Sequence, residues 1–157
     1  MYPKLSLSRS RGETKPQEQS LELKPLVIIT VGVTAAGKTT WAKNLQNEHP
    51  NLNVAIIPTA EISSRDQQAW IRKLQAAATS KNVIILDGSN LDDTQLRHDL
   101  DTLKTMGLTD IAIEYFEPDS LFVLLSRNKG TGGEKIRTEL QKIKNREHYL
   151  EIADSYD

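Results

Sequence analysis

The 157-residue chain has no cysteine and only eight aromatic residues: four Tyr, two Phe and two Trp. Without cysteine the protein can form neither disulfides nor thiolate metal sites, and nothing points to an oxidising compartment. The few aromatic side chains also limit any surface that binds by stacking bases on rings. Three histidines, His49, His98 and His148, are too scattered to form a ligand cluster. We interpret them as solvated surface residues.

Long apolar runs are missing as well. No stretch approaches the ~20 apolar residues that a membrane-spanning helix needs, and the first residues contain no secretory apolar segment. We therefore expect a soluble cytoplasmic protein that makes no contact with a membrane. A length of 157 residues fits one domain with one core.

Residues 1–25 mix Ser, Lys, Arg, Glu and Gln with three prolines and isolated leucines. Such a segment buries too little apolar area to offset the entropy lost when it becomes ordered. We predict a disordered tail over residues 1–25 and a folded domain over residues 26–157. Two arginines among the serines also fit a targeting peptide, but the glutamates that follow disfavour that alternative.

Charge is distributed unevenly along the chain, although the net charge is only −1. Residues 127–148 carry seven Lys or Arg against three Glu, a local balance of +4. Such a basic segment suits an anionic substrate. A solvated helix face with mixed charges explains most of these side chains equally well.

The most informative stretch is residues 26–40, which read LVIITVGVTAAGKTT. Its apolar, β-branched start, from Leu26 to Val31, predicts a buried strand, and the rest matches G-x-x-x-x-G-K-[ST], the Walker A or P-loop pattern. Glycines in such a loop let backbone N–H groups turn inward around an anion, and the following helix adds the positive end of its dipole. An ordinary glycine turn is the alternative, which the amphipathic pattern downstream disfavours.

The P-loop pattern assigns roles to individual residues. We expect Gly32 and Gly37 to adopt positive φ, the Lys38 ammonium to reach the β- and γ-phosphates of a nucleoside triphosphate, and the Thr39 hydroxyl to hold Mg²⁺. The predicted nucleotide-binding residues form one continuous set: Gly32, Val33, Thr34, Ala35, Ala36, Gly37, Lys38, Thr39 and Thr40.

Periodicity predicts three further strands, at residues 53–57, 83–87 and 111–116, the second of them central and buried on both faces. Predicted helices run from about Lys38 to before Pro50, from a Ser64–Gln67 capping box to about Thr79, from a cap at Asp93 to Gly107, briefly after a cap at Asp119, and over about Glu134–Ile152. This order predicts an α/β fold of the P-loop NTPase, nucleoside-kinase-like type. Its central parallel sheet should have about four strands flanked by helices.

Asp87 ends the predicted third strand, 49 positions after Lys38. A second acidic group that supports Mg²⁺ is expected at such a strand end, although aspartate there is also a common turn former. The next residue is Gly88, whereas motor-type ATPases commonly place there a Glu that polarises water. This difference favours phosphoryl transfer to a bound acceptor over hydrolysis.

Three segments carry a family resemblance: GKTTWA at 37–42, VIILDGSNL at 83–91 and LLSRNKG at 124–130. In type and order they resemble signatures of the kinase domain of phage-type 5′-polynucleotide kinases, over roughly residues 26–150. The resemblance implies ATP and Mg²⁺ as cofactors, Lys38 as a catalytic residue, and Thr39 and Asp87 as metal ligands. It also implies that Arg127 is catalytic and binds nucleotide from a mobile lid around residues 127–135. A surface arginine that closes a helix is the alternative for Arg127.

The chain departs from that family in two places. The family has an Arg-Asp pair after the second strand, whose aspartate accepts the proton of the attacking hydroxyl; here residues 58–66 read PTAEISSRD. Glu61 is our candidate for the catalytic base, with Asp66 as the other candidate and Arg65 as a candidate substrate clamp. In the lid, Thr131 stands near the place of a second arginine. Lys129 and Arg137 are the candidates to replace that charge.

The sequence as a whole predicts an ATP-dependent kinase that transfers the γ-phosphate to a hydroxyl. The 5′ end of a single-stranded nucleic acid is the leading acceptor. Two alternatives remain: a P-loop kinase that acts on a small metabolite, and a nucleotide-binding module whose catalytic residues have degenerated.

Overall fold

A computed structural model describes residues 24–59 and 67–156. The predicted tail at residues 1–25 lies outside these ranges except for its last two residues. Ser64 and the three candidates Glu61, Arg65 and Asp66 also lie outside them.

Helices and strands alternate along the described residues. In chain order they are β1 (Leu26–Val31), α1 (Lys38–Glu48), β2 (Val54–Pro58), α2 (Gln67–Ser80), β3 (Val83–Asp87), α3 (Asp93–Thr105), β4 (Ile111–Tyr115), α4 (Leu121–Arg127), α5 (Gly133–Lys142) and α6 (Arg146–Asp154). The strands form one parallel sheet in the order β2-β3-β1-β4. The predicted α/β class, with a parallel sheet of four strands flanked by helices, is confirmed.

The central strand β1 is buried along its whole length. Because successive side chains of a strand point to opposite faces, β1 contributes to two apolar clusters. Val27, Ile29 and Val31 lie in the larger cluster with residues of α2, α3 and α6, whereas Leu26 and Ile28 pack with residues of α1. Covering both faces explains why β1 and β3 are apolar runs without polar alternation.

Two helix caps lie one residue away from their predicted positions. Asp92, not Asp93, caps α3, since its carboxylate accepts the backbone N–H groups of Thr94 and Gln95. Ser120, not Asp119, caps α4. In each case two neighbouring residues have a side chain that can cap. The cap falls on the one with extended backbone directly before the first helical residue.

The single final helix predicted over Glu134–Ile152 is wrong, because the structure has α5 and α6 with a break at residues 143–145. The backbone of Lys144 is held at this break by two tyrosines: the Tyr115 hydroxyl donates to its carbonyl at 2.7 Å, and its N–H donates to the Tyr149 hydroxyl at 3.2 Å. Asn145 then caps α6. The apolar side chains of this segment nevertheless face the core, Ile136 fully and Leu140, Ile143 and Leu150 partly.

His148 is not the solvated residue that the sequence predicted. Its Nε2 lies 2.8 Å from Asp93 Oδ2, and Lys144 Nζ lies 3.4 Å from the same oxygen. Burial alone would raise the pKa of Asp93, but the hydrogen bonds and charges of His148 and Lys144 hold it below its ordinary value. The contact fixes the first residue of α3 against α6.

None of the helices in residues 24–59 and 67–156 has the length and apolar character needed to cross a membrane.

Candidate phosphate and metal site

The P-loop connects β1 to α1 at the carboxyl edge of the sheet, where ligands of parallel α/β folds bind. Gly37 has φ 99° and Ala35 has φ 67°, so the loop makes two left-handed turns. The predicted positive φ is correct for Gly37 and wrong for Gly32. At Gly32 the requirement is space, because a Cβ there would lie 2.9 Å from the Cβ of Phe116. The residue that follows β4 therefore packs directly on the loop.

The other residues of the predicted loop differ in how far they are exposed to solvent. Val33 belongs to the core, Ala36 is half-buried, and Thr40 is exposed on the first turn of α1. Trp41, one residue further, contacts Phe116 edge to face, with ring centroids 5.8 Å apart. Phe116 therefore packs both on the loop at Gly32 and against the Trp41 ring.

Lys38 is buried, with 9% of the residue exposed, and its Nζ donates to the Val33 carbonyl at 2.6 Å. Burial lowers the pKa of Lys38 and the nearby charge of Lys135 lowers it too, whereas the carboxylates of Glu139 and Asp87 raise it. The ammonium is thus held at the loop by a backbone carbonyl, and the charges of two carboxylates favour its protonated form. An anion bound in the loop would meet this cation at close range.

Thr39 and Asp87 are brought together as the motif predicts. The Thr39 hydroxyl donates to Asp87 Oδ2 at 2.9 Å. Hydroxyl and carboxylate oxygens are suitable ligands for Mg²⁺, and Mg²⁺ commonly takes its remaining ligands from water and phosphate. The described ranges contain no cluster of three or more His, Cys, Asp or Glu side chains that could hold a metal. The pair fits a nucleotide-bound Mg²⁺, and its role as a metal site stays a prediction.

A network around Thr30 fixes the two strand ends that carry the site. The buried Thr30 hydroxyl donates to the Gly88 carbonyl at 2.8 Å and accepts the Gly88 N–H at 3.0 Å. Asn90 donates to the Thr30 carbonyl at 2.7 Å, and the Gly32 N–H donates to the Ser89 carbonyl at 3.1 Å. The start of the P-loop and the residues after Asp87 are therefore held in one register.

The residue that follows β2, Thr59, approaches so closely that residue 88 must be glycine. A Cβ at this position would lie 1.6 Å from the Thr59 hydroxyl oxygen, which donates to the Asp87 carbonyl at 3.4 Å. Glycine therefore lets the chain after β2 lie against the end of β3, beside the predicted metal carboxylate.

Arg127 lies at the end of α4 and reaches the P-loop. Its Nη1 donates to the Ala35 carbonyl at 3.4 Å and forms an ion pair with Asp119 at 2.7 Å, with 48% of the side chain exposed. The structure thus brings Arg127 to the loop as the resemblance implies, and its nucleotide-binding and catalytic roles stay predictions. Contact with a phosphate would require Arg127 to share or leave Asp119.

The turn after α4 is closed by hydrogen bonds. Asn128 donates to the Thr131 carbonyl at 2.8 Å, and the Thr131 hydroxyl donates to the Asn128 carbonyl at 2.8 Å. Thr131, which stands near the place of a second lid arginine, therefore has a structural contact of its own. Lys129 and Arg137 are exposed; the mobility of the predicted lid stays a prediction.

One site residue was missed by sequence reasoning. Glu139 is buried with 9% exposure, and its Oε1 accepts the Thr34 N–H at 2.8 Å while its Oε2 accepts the Ser89 hydroxyl at 3.2 Å. The available signal was its position on the helix, three residues after the buried Ile136 and next to Leu140, which places a charge on the apolar side.

An open cavity of about 730 Å³ lies beside the same helix, lined by residues between Gly132 and Lys142 that include Lys135 and Glu139. Lys135 precedes Glu139 by one helical turn. A cation and a carboxylate of α5 thus face the region next to the loop lysine.

Comparison with known proteins gives the fold but no sequence family. No protein-family model matches the chain, and no curated protein matches it in sequence. A solved fungal RNA kinase is similar with a TM-score of 0.53 and 18% identity over 76% of this chain and 33% of that one. APE1195 is similar with a TM-score of 0.53 and 19% identity over 86% of this chain and 80% of that one.

This chain therefore spans about a third of the fungal RNA kinase. At identities below 20%, both likenesses concern the fold alone. Together with the parallel sheet and its flanking helices, they establish that the chain has a P-loop NTPase-like fold.

Proposed function

We propose that the protein is an ATP-dependent kinase of the phage-type polynucleotide kinase kind, which transfers the γ-phosphate to the 5′-hydroxyl of a single-stranded nucleic acid. The observation that carries the proposal is the Lys38, Thr39 and Asp87 arrangement at the carboxyl edge of the sheet. The position of Arg127, whose Nη1 lies 3.4 Å from the Ala35 carbonyl oxygen of the loop, supports it. The fold likeness to an RNA kinase favours a nucleic acid over a small metabolite as acceptor.

The proposed reaction needs little covalent participation by the protein. An acceptor oxygen forms a bond to the γ-phosphorus, the bond between that phosphorus and the β-phosphate oxygen breaks, and ADP leaves. The loop amides and Lys38 orient the phosphates. Arg127 stabilises the negative charge of the transferred group, and a carboxylate accepts the proton of the acceptor hydroxyl. When bound by Thr39 and Asp87, Mg²⁺ would neutralise charge on the phosphate oxygens.

Gly88 supports transfer over hydrolysis. Directly after Asp87 it provides no side chain that could polarise water, and the Thr59 hydroxyl fills the space where a Cβ would lie. The chain after β2 therefore starts beside the site and is a suitable place for the proton acceptor.

The catalytic base is the first point to test by mutation. Glu61 follows Thr59 by two residues, and Thr59 donates to the Asp87 carbonyl. We expect Glu61→Gln to lower turnover by about tenfold or more, since a general base contributes roughly 10²- to 10⁴-fold. ATP affinity should change little. Steady-state rates with a 5′-OH oligonucleotide and ATP titration by calorimetry measure both effects.

Asp66→Asn is the companion variant for that experiment, because Asp66 is the other candidate for the base. If Glu61→Gln leaves turnover unchanged and Asp66→Asn lowers it, Asp66 is the base instead. Normal rates in both variants would show that neither carboxylate takes the proton.

Arg127→Ala should reduce turnover by roughly 10²-fold, the size typical of one lost donor to transition-state charge. ATP binding should weaken less, because the side chain is half exposed and its hydrogen bond to the loop, at the Ala35 carbonyl, is long. Arg97→Ala, an exposed arginine on α3, is the matched control. An effect confined to ATP binding would contradict a role in the transition state.

The function itself is tested by transfer of labelled γ-phosphate from ATP to short 5′-OH oligonucleotides, DNA and RNA in parallel. The same oligonucleotides with a 5′-phosphate are the control acceptors. Labelled product only with the 5′-OH oligonucleotides supports the proposal. No product, together with ATP binding that depends on Lys38, would overturn it in favour of a metabolite kinase or a nucleotide-binding module.

A further inference from the structure

Glu139 is a buried charge whose two oxygens contact two different parts of the site. It lies on α5, between the buried Ile136 and the partly buried Leu140. Glutamate is seldom buried without partners, because removing a carboxylate from water is costly unless hydrogen bonds replace the solvent. Here the partners are a P-loop amide and a hydroxyl next to the end of β3.

These contacts close a ring of hydrogen bonds around the start of the P-loop. Glu139 accepts from Thr34 N–H and from the Ser89 hydroxyl, and the Ser89 carbonyl accepts from Gly32 N–H. The backbone from Gly32 to Thr34 is therefore tied both to α5 and to the residues after Asp87. Anion binding by such a loop depends on the direction of its N–H groups, so these ties bear on nucleotide affinity.

The charge of Glu139 also acts on the loop lysine. Burial has the largest effect and keeps the pKa of Lys38 below its ordinary value, and Lys135 on α5 lowers it further, whereas Glu139 on α5 and Asp87 on β3 raise it. Glu139 is thus a counter-charge for the buried ammonium, in addition to its two hydrogen bonds.

We propose that Glu139 is a positioning residue of the kinase site. Through the Thr34 amide and the Ser89 hydroxyl it fixes the P-loop in the shape that binds a triphosphate, without touching the transferred group. The inference rests on the proposed function, because it assumes that the loop binds ATP. The opposite role is a carboxylate that occupies the place of a phosphate and must leave before ATP binds.

Glu139→Ala and Glu139→Gln separate these roles. The alanine variant loses both hydrogen bonds, and we expect it to bind Mg·ATP on the order of tenfold more weakly, since bonds to charged groups are the stronger ones. A glutamine carbonyl can still accept from Thr34, and its amide can donate to Ser89, so Glu139→Gln should bind nearly as well as wild type at neutral pH. Glu151→Ala and Glu151→Gln, at an exposed position on α6, are the matched controls.

The split between KM and kcat gives a readout that a merely structural role would not change. Because Glu139 contacts the P-loop and does not touch the transferred group, Glu139→Ala should raise the KM for ATP on the order of tenfold while kcat changes little. Glu139→Gln, which keeps both hydrogen bonds, should restore the KM. The amide signal of Thr34 in a ¹⁵N-labelled sample should shift in Glu139→Ala and stay unchanged in Glu151→Ala.

The outcomes distinguish this inference from the proposed function. Wild type that binds ATP, with Glu139→Ala equal to it or tighter, overturns the positioning role and leaves the kinase proposal in place. A folded Glu139→Gln variant that binds ATP as weakly as Glu139→Ala also overturns the positioning role, because glutamine keeps both hydrogen bonds. Failure of wild type to bind ATP overturns both proposals. Melting curves of all variants identify any loss of binding that comes from unfolding, and the isosteric glutamine variant keeps the test valid if alanine unfolds the chain.

Discussion

Replacing Lys38 by alanine is expected to lower phosphate transfer by about 10²- to 10³-fold, the size typical of one preorganised charge lost from an active site. Of the lysines and arginines whose burial the structure describes, Lys38 alone is buried. Its ammonium already bonds to the loop at Val33 and lies near two carboxylates that help it stay charged. The other cations near the loop, Lys135 and Arg127, are exposed, whereas Lys38 is buried against it. Rates at saturating ATP, with ATP affinity from calorimetry, measure the effect.

Lys43→Ala is the matched control, because Lys43 is an exposed lysine on the same helix. It should leave rate and affinity unchanged. Since Lys38 is buried, melting curves must show that Lys38→Ala remains folded; Lys38→Arg, which keeps the charge, is a second variant for this purpose. Transfer at the wild-type rate by a folded Lys38→Ala variant would contradict the assignment of the phosphate site.

Asp87→Asn is expected to slow transfer by about 10²-fold and to raise the Mg²⁺ concentration needed for half-maximal rate. The amide oxygen can still accept the Thr39 hydroxyl, now at 2.9 Å from the carboxylate, so the fold should hold while the charge is lost. Rates measured over a series of Mg²⁺ concentrations test both expectations. Asp101→Asn, at an exposed position of α3, is the control.

Asp87 also raises the pKa of Lys38, so its loss could act through the lysine. Lower pH would then restore activity to Asp87→Asn, because Lys38 would regain its proton. A loss that persists at lower pH supports a direct role in metal binding. An unchanged rate and Mg²⁺ requirement would exclude Asp87 from the metal site.

Much of the fold could be predicted because its signals are local. The apolar run from Leu26 to Val31 predicted the bounds of β1 correctly, and the run from Val83 to Asp87 predicted those of β3. Both strands are covered on two faces, which leaves no competing helical periodicity. The sequence also predicted that Thr39 and Asp87 share one Mg²⁺ site; in the structure their side chains are in contact, and their role as metal ligands stays a prediction.

What could not be predicted depends on contacts between distant residues. The break after α5 involves Tyr115, which donates to the Lys144 carbonyl from 29 positions away. Nothing in the helical pattern of residues 134–152 reveals that contact. Glu139 lies 105 positions from Thr34, so a count of local charges did not indicate that it is buried against the P-loop. Propensity and periodicity describe neighbours along the chain, whereas these features belong to the assembled fold.

The strand order has a consequence for how the molecule folds. Both neighbours of β1 come later in the chain: Leu26 pairs with Val83, and Val27 pairs with Ile111. Until those residues have been synthesised, the strand that leads into the phosphate loop has two open edges and a run of apolar side chains, a state prone to aggregation. Pairings this distant also slow folding. The phosphate loop is encoded early in the domain, yet it can reach its final shape only when nearly the whole sheet has formed.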